Sequence, residues 1–148
     1  MNIRKAQKED VNDLTILYKM VFSVHNIFTK SDEVIIRYLV SKLDKMLVAE
    51  EESKVVAALV IFEKNYGDWK VTNFKHVGVL PEYQGEGIGS TLLREAENSV
   101  KFGKIEIRVA DTENLIEFYE KNGYEKEAEL KSHYRKGETC FVMGKILW

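Results

Sequence analysis

The sequence predicts a mixed α/β domain, a sheet with helices on its faces, and three observations predict it. Apolar residues switch between period two and helical spacing in the order β-α-α-β-β-β-α-β-α-β-β. The run Val55-Val-Ala-Ala-Leu-Val-Ile-Phe62 is apolar on both faces, as a central strand must be. A strand ending near Pro81 leads into a helix through a loop with glycines at 85, 87 and 89. At 148 residues the chain fits one domain, 1–148, and can bury a real core.

Met1–Ala6 is the first strand. Val11, Leu14, Leu17, Tyr18 and Val21 recur at helical spacing, with Glu9 and Asp10 at the end where the helix dipole favours acid. Phe22–Lys30 is mixed polar and aromatic and reads as a loop; Ser31 then caps a second helix carrying Val34, Ile35, Tyr38 and Leu39. Met46–Glu50 and Val55–Phe62 are strands joined by the polar turn 51–54. Asn65-Tyr-Gly-Asp68 is turn chemistry, and Val71–Leu80 is the next strand. Ile88, Leu92, Leu93, Ala96 and Val100 mark the buried stripe of a third helix, expected to end near Gly103. Ile105–Val109 is a strand, and Asp111 or Thr112 is expected to cap a fourth helix running to about Asn122, with Gly123 ending it. Tyr124–Tyr134 and Thr139–Trp148 form a last strand pair around the turn Arg135-Lys-Gly-Glu138.

Composition narrows the function classes. Hydrophobic residues at 45% and charged residues at 31% are ordinary for a soluble globular chain. No apolar run approaches the length of a membrane span, and residues 1–10 lack the apolar block of a secretory signal, so a cytoplasmic protein without membrane contact is expected. Lys+Arg at 22 against Asp+Glu at 24 gives a net charge of −2. The lysines around 121–136 are interleaved with glutamates, a solvated surface rather than a nucleic-acid face. The single cysteine, Cys140, excludes an internal disulfide and sits in an apolar strand as a small buried hydrophobe. His25, His76 and His133 show no metal-ligand spacing, and no metal is expected.

The most informative stretch is His76-Val-Gly-Val-Leu-Pro-Glu-Tyr-Gln-Gly-Glu-Gly-Ile-Gly-Ser-Thr-Leu-Leu93. Glycines let the backbone turn tightly and let a ligand approach the main chain. The first turn of the following helix offers N–H groups without intrahelical partners, at the positive end of its dipole, and phosphate is the usual guest of such a site. A dinucleotide fingerprint would need glycine where Ser90 stands, and a P-loop would need a lysine that 76–93 lacks.

Two blocks carry a resemblance to the GNAT acetyltransferases. Gln84-Gly-Glu-Gly-Ile-Gly89 is similar to their cofactor motif Arg/Gln-x-x-Gly-x-Gly/Ala, and Asn114-Leu-Ile-Glu-Phe-Tyr-Glu-Lys-Asn-Gly-Tyr124 resembles their helix-then-turn ending Phe-Tyr-x-x-x-Gly-Phe/Tyr. Both stand in the family's order and separation. The resemblance implies a mixed, mostly antiparallel central sheet of about seven strands flanked by four helices, and an N-acetyltransferase that moves the acetyl group of acetyl-CoA to a primary amine in a ternary complex. It assigns the pyrophosphate of coenzyme A to Gln84, Gly85, Glu86, Gly87, Ile88, Gly89 and Ser90. It assigns the pantetheine arm and acetyl oxygen to the main chain of Val77, Gly78 and Val79, with the Val79 N–H facing the oxyanion. Tyr119 matches the general acid that protonates the departing thiolate, and Asn114 matches a position that often bonds the cofactor. By spacing alone, Tyr119 reads as part of a core stripe with Leu115 and Phe118, and Asn114 could be a capping residue.

The general base is not assigned. The glutamate some family members use falls at Asn73, which is no proton acceptor. His76 has a suitable ordinary pKa, but strand alternation puts it on the face opposite Val77 and Val79, where a structural role is expected. Glu63 and Asp68 are weaker candidates. Two other functions stay open: transfer of a longer acyl group, and a non-catalytic sensor that binds acyl-CoA. Phe22–Lys30 and Lys131–Glu138 should frame the acceptor, with Asp32, Glu33 and Glu138 nearby as surface acids. The protein should be a monomer or homodimer, the apolar C-terminal strand ending in Trp148 offering an edge to a neighbour.

Overall fold

The computed structural model describes residues 1–23 and 26–147; Val24, His25 and Trp148, which the expectations above include, lie outside the described residues. Seven strands form one sheet: β1 (Asn2–Lys5), β2 (Met46–Glu51), β3 (Lys54–Tyr66), β4 (Trp69–Val79), β5 (Gly103–Ala110), β6 (Glu125–Lys131) and β7 (Thr139–Leu147). Their spatial order is β1-β2-β3-β4-β5-β7-β6. β4 and β5 run parallel, whereas β1–β2, β2–β3, β5–β7 and β6–β7 are antiparallel. Four helices accompany them: α1 (Val11–Val21), α2 (Asp32–Val40), α3 (Ile88–Val100) and α4 (Ile116–Lys121). This is the expected element order and a mixed, mostly antiparallel sheet.

The chain divides into two compact units, Met1–Ile61 with His76–Ser99, and Phe62–Lys75 with Val100–Trp148. In the first, the helical stripes do what their spacing predicts. Leu14, Leu17 and Tyr18 of α1, Ile35 and Leu39 of α2, and Leu92, Leu93 and Ala96 of α3 are fully buried, as are Val56–Val60 of β3. Burying one such aliphatic side chain stabilises by about 1.5–3 kcal/mol. Ser31 caps α2 as expected, its Oγ accepting from the Val34 N–H at 3.4 Å. Asp10 is buried beside the start of α1; its carboxylate accepts both Arg4 guanidinium nitrogens at 2.8 and 2.9 Å and the Gln7 N–H at 2.7 Å.

In the second unit, Phe74, Ile105, Ile107, Val109, Tyr119, Tyr124, Cys140 and Met143 form the core. Four expectations change here. The third helix stops at Val100 because Lys101 turns left-handed (φ 72), and Gly103 instead opens β5 at φ 99, where a side chain would strike the Lys70 carbonyl. The fourth helix does not start at Asp111 or Thr112: Asp111–Glu113 make a 3-10 turn, Asn114 turns left-handed at φ 54, and α4 begins at Ile116. The would-be caps are otherwise engaged, the Asp111 carboxylate accepting from the Thr139 N–H and the Thr112 hydroxyl donating to Glu138. Glu138 is not a solvated acid but buried, bonded to Thr112 and Arg135. β7 lies between β5 and β6, so both its edges are paired and neither is open to a neighbouring chain.

Candidate active site

In the first unit, β4 ends at Val79, Pro81–Tyr83 make a 3-10 turn, and α3 begins at Ile88. Gly85 and Gly87 between them adopt φ of 81 and 84. An L-residue with a Cβ resists that region by about 1–2 kcal/mol, so glycine is the residue the path requires. A Cβ built at either position would meet nothing within 4 Å, so no protein atom crowds either turning point. The Gly87 carbonyl accepts from the Thr91 N–H, the first turn of α3, which leaves the N–H groups just before Thr91 at the positive end of a thirteen-residue helix. Donors, uncrowded glycines and dipole fit the diphosphate of a coenzyme.

The sequence-assigned residues here are brought together. Gln84 ties the loop back to the strand, its side-chain amide donating to the Val79 carbonyl at 2.9 Å. Gln84, Gly85, Glu86 and Gly87 are exposed, whereas Ile88 and Gly89 are buried and Ser90 is half-buried. Val77 and Val79 are half-buried; Gly78 is buried against Val21 and Phe22, with its missing Cβ 3.3 Å from the Val21 side chain. The parallel ladder with β5 covers Val71–Asn73 of β4, well before β4 ends.

Asn114 and Tyr119 belong to the second unit. Asn114 is exposed, at the left-handed end of the 3-10 turn. Tyr119 on α4 is 2% exposed and packs edge-on against Phe118 and Tyr124. Burial, then the charge of Glu113, pushes its phenol well above the ordinary value, so it holds its proton throughout the neutral range.

The remaining candidates sort cleanly. Glu63 faces Lys70 at 3.7 Å on the exposed end of β3, and Asp68 is exposed. Cys140 is a free, buried thiol whose pKa burial raises, a poor nucleophile. His133 is exposed, its Nε2 3.4 Å from Arg108. Among the described residues no group of three or more His, Cys, Asp or Glu could hold a metal ion, and no helix is long and apolar enough to cross a membrane.

His76 is the residue the sequence placed but did not explain. It is a non-glycine at φ 53 within β4, a conformation that costs about 1–2 kcal/mol. Tyr18 Oη donates to its carbonyl at 2.8 Å, and Tyr38 Oη lies 2.8 Å from its Nε2. Its ring is met edge-on by Phe28 at 5.2 Å and Phe22 at 6.1 Å. The side chain faces the α1–α2 side, as does Gly78, which agrees with alternation. No local signal could reveal the pairing, since Tyr38 and His76 are 38 positions apart.

Residues 42–126 match the family profile described as an acetyltransferase (GNAT) domain, more than half of the chain. The chain belongs to the GNAT acetyltransferase family. As such it is an acyltransferase. An uncharacterized N-acetyltransferase of Archaeoglobus fulgidus is 32% identical over 110 residues, covering 65% of this chain and 71% of that protein. The fold is shared with solved structures: ribosomal-protein-alanine N-acetyltransferase of Brucella melitensis aligns over 99% of this chain and 100% of its own, with TM-score 0.78 and 22% identity. An aminoglycoside 6'-N-acetyltransferase complexed with coenzyme A aligns over 99% and 97%, with TM-score 0.77 and 15% identity. The sheet and helices of this GNAT chain are therefore those of known acetyltransferases.

Proposed function

We propose that this GNAT domain, residues 1–148, transfers the acetyl group of acetyl-CoA to a primary amine by direct attack in a ternary complex. The observation that carries the reading is the left-handed pair Gly85 and Gly87, which turns the chain into α3 with no protein atom within 4 Å of either missing Cβ. When bound, the thioester supplies an activated acetyl group and a thiolate leaving group. The N–H groups from Gly85 to Ser90 hold the diphosphate, with Gln84 fixing the loop through Val79. The main chain of Val77, Gly78 and Val79 orients the thioester arm, and the Val79 N–H donates to the oxygen as negative charge develops there. Asn114 bonds the cofactor from the exposed end of its turn. Tyr119, held protonated by burial, donates to the thiolate.

The acceptor is a small-molecule or peptide amine. The two solved relatives above bear names for very different acceptors, a ribosomal protein and an aminoglycoside, so the fold alone does not choose between them. The test is free-thiol release from acetyl-CoA with a panel of alkylamines, polyamines, aminoglycosides and peptide N-termini. Release dependent on at least one amine is expected. Tight coenzyme binding without release for any amine would instead favour the sensor reading.

A further inference from the structure

The acetyl-transfer reading leaves the amine's proton without an acceptor, because the position available to a strand carboxylate holds Asn73. His76 stands one residue before the strand Val77-Gly78-Val79 and is fixed from three directions. Tyr18 of α1 holds its carbonyl, Tyr38 of α2 meets its Nε2, and Phe22 and Phe28 pack its ring edge-on. Side chains so held in a left-handed backbone concentrate at functional positions. Of the titratable groups that face it, Tyr18 and Tyr38 are both pushed up by burial and stay protonated. The described residues of the Phe22 and Phe28 segments offer none, and Lys42 Nζ lies 5.5 Å from the centroid of the Tyr38 ring. Within this cluster, among the described residues, the imidazole is the group whose ordinary pKa of about 6.5 lies near neutrality.

We propose that Tyr38 and His76 form the proton relay of the acceptor amine. The half-buried Tyr38 hydroxyl takes a proton from the amine nitrogen while its own proton passes to His76 Nε2. One N–H bond of the ammonium breaks, one N–H bond of the imidazole forms, and the tyrosine ends neutral. The amine is then free to attack, and the imidazolium returns its proton to water after turnover. Tyr38 touches the substrate in this scheme; Tyr18, Phe22 and Phe28 only position the imidazole.

This rests on the acetyl-transfer reading, and the test separates the two. Tyr38→Phe keeps the ring and removes the hydroxyl; His76→Asn keeps a residue that tolerates a left-handed backbone. With the best amine of the panel, each should lower kcat/KM at pH 7 by about 100-fold, the scale of general-base loss, with coenzyme A affinity unchanged. The deficit should shrink as pH rises toward the pKa of the amine, whose own ionisation should replace the wild-type acid limb. An equal loss at every pH, or a wild-type profile in either variant, overturns the relay. Independently of turnover, the ¹⁵N signals of the His76 imidazole should titrate between pH 5 and 8 and move on Tyr38→Phe. A ring that does not titrate there, or is unmoved, also overturns it. Failure to bind coenzyme A at all would instead sink the acetyl-transfer reading.

Discussion

Two buried residues show how the surroundings set a proton's affinity in opposite directions. Arg4, donating two hydrogen bonds, holds the Asp10 carboxyl below its usual range against the cost of burial. A folded-state pKa below the unfolded one stabilises the protein above about pH 4, and that contribution is lost as pH falls through the folded value. Asp10→Asn is therefore expected to lower stability at pH 7 by about 1.5–3 kcal/mol, the scale of hydrogen bonds to a charged group, although Arg4 keeps Glu50, and to flatten the acid side of the Tm–pH curve. Thermal melts from pH 3 to 8 check both. Tyr119 shifts upward instead, because its phenolate would be desolvated. Tyr119→Phe should lower kcat by about 100-fold while leaving coenzyme A affinity within about twofold. Isothermal titration beside steady-state rates separates an acid role from a packing role, which would move both together.

Among the elements, periodicity made most boundaries readable and non-local contacts account for the rest. The stripe Ile88, Leu92, Leu93, Ala96 and Val100 delimits α3 because burial on one face dictates it. β3 and β4 run past their apolar stretches to Tyr66 and back from Trp69, where mostly exposed side chains carry no burial pattern. The break at Asn114 was illegible because its competing bonds, Asp111 to Thr139 and Thr112 to Glu138, join positions far apart in sequence. The turn at Gly85 and Gly87 was legible because glycine is a direct statement about φ; the Tyr38–His76 pair was not, since it links two elements across the unit. Gly87→Ala isolates the loop's contribution. With open space around the new Cβ, only backbone strain of about 1–2 kcal/mol opposes folding. On the reading that the loop's N–H groups hold the diphosphate, a strained backbone there should lower coenzyme A affinity at least about tenfold, a loss of about 1.4 kcal/mol. Melting and binding curves on the same sample read the two effects apart.

On the scale of the whole molecule, the GNAT profile and the shared fold account for the sheet, the helices and the class of chemistry, while the acceptor depends on side chains that vary on a common scaffold. What unites the account is a coenzyme diphosphate held by main-chain N–H groups where β4 gives way to α3. Amide hydrogen exchange with and without saturating coenzyme A tests this most directly. Protection concentrated in residues 84–90 is the predicted result. Coenzyme binding that protects other segments and leaves 84–90 exchanging as in the free protein would contradict it.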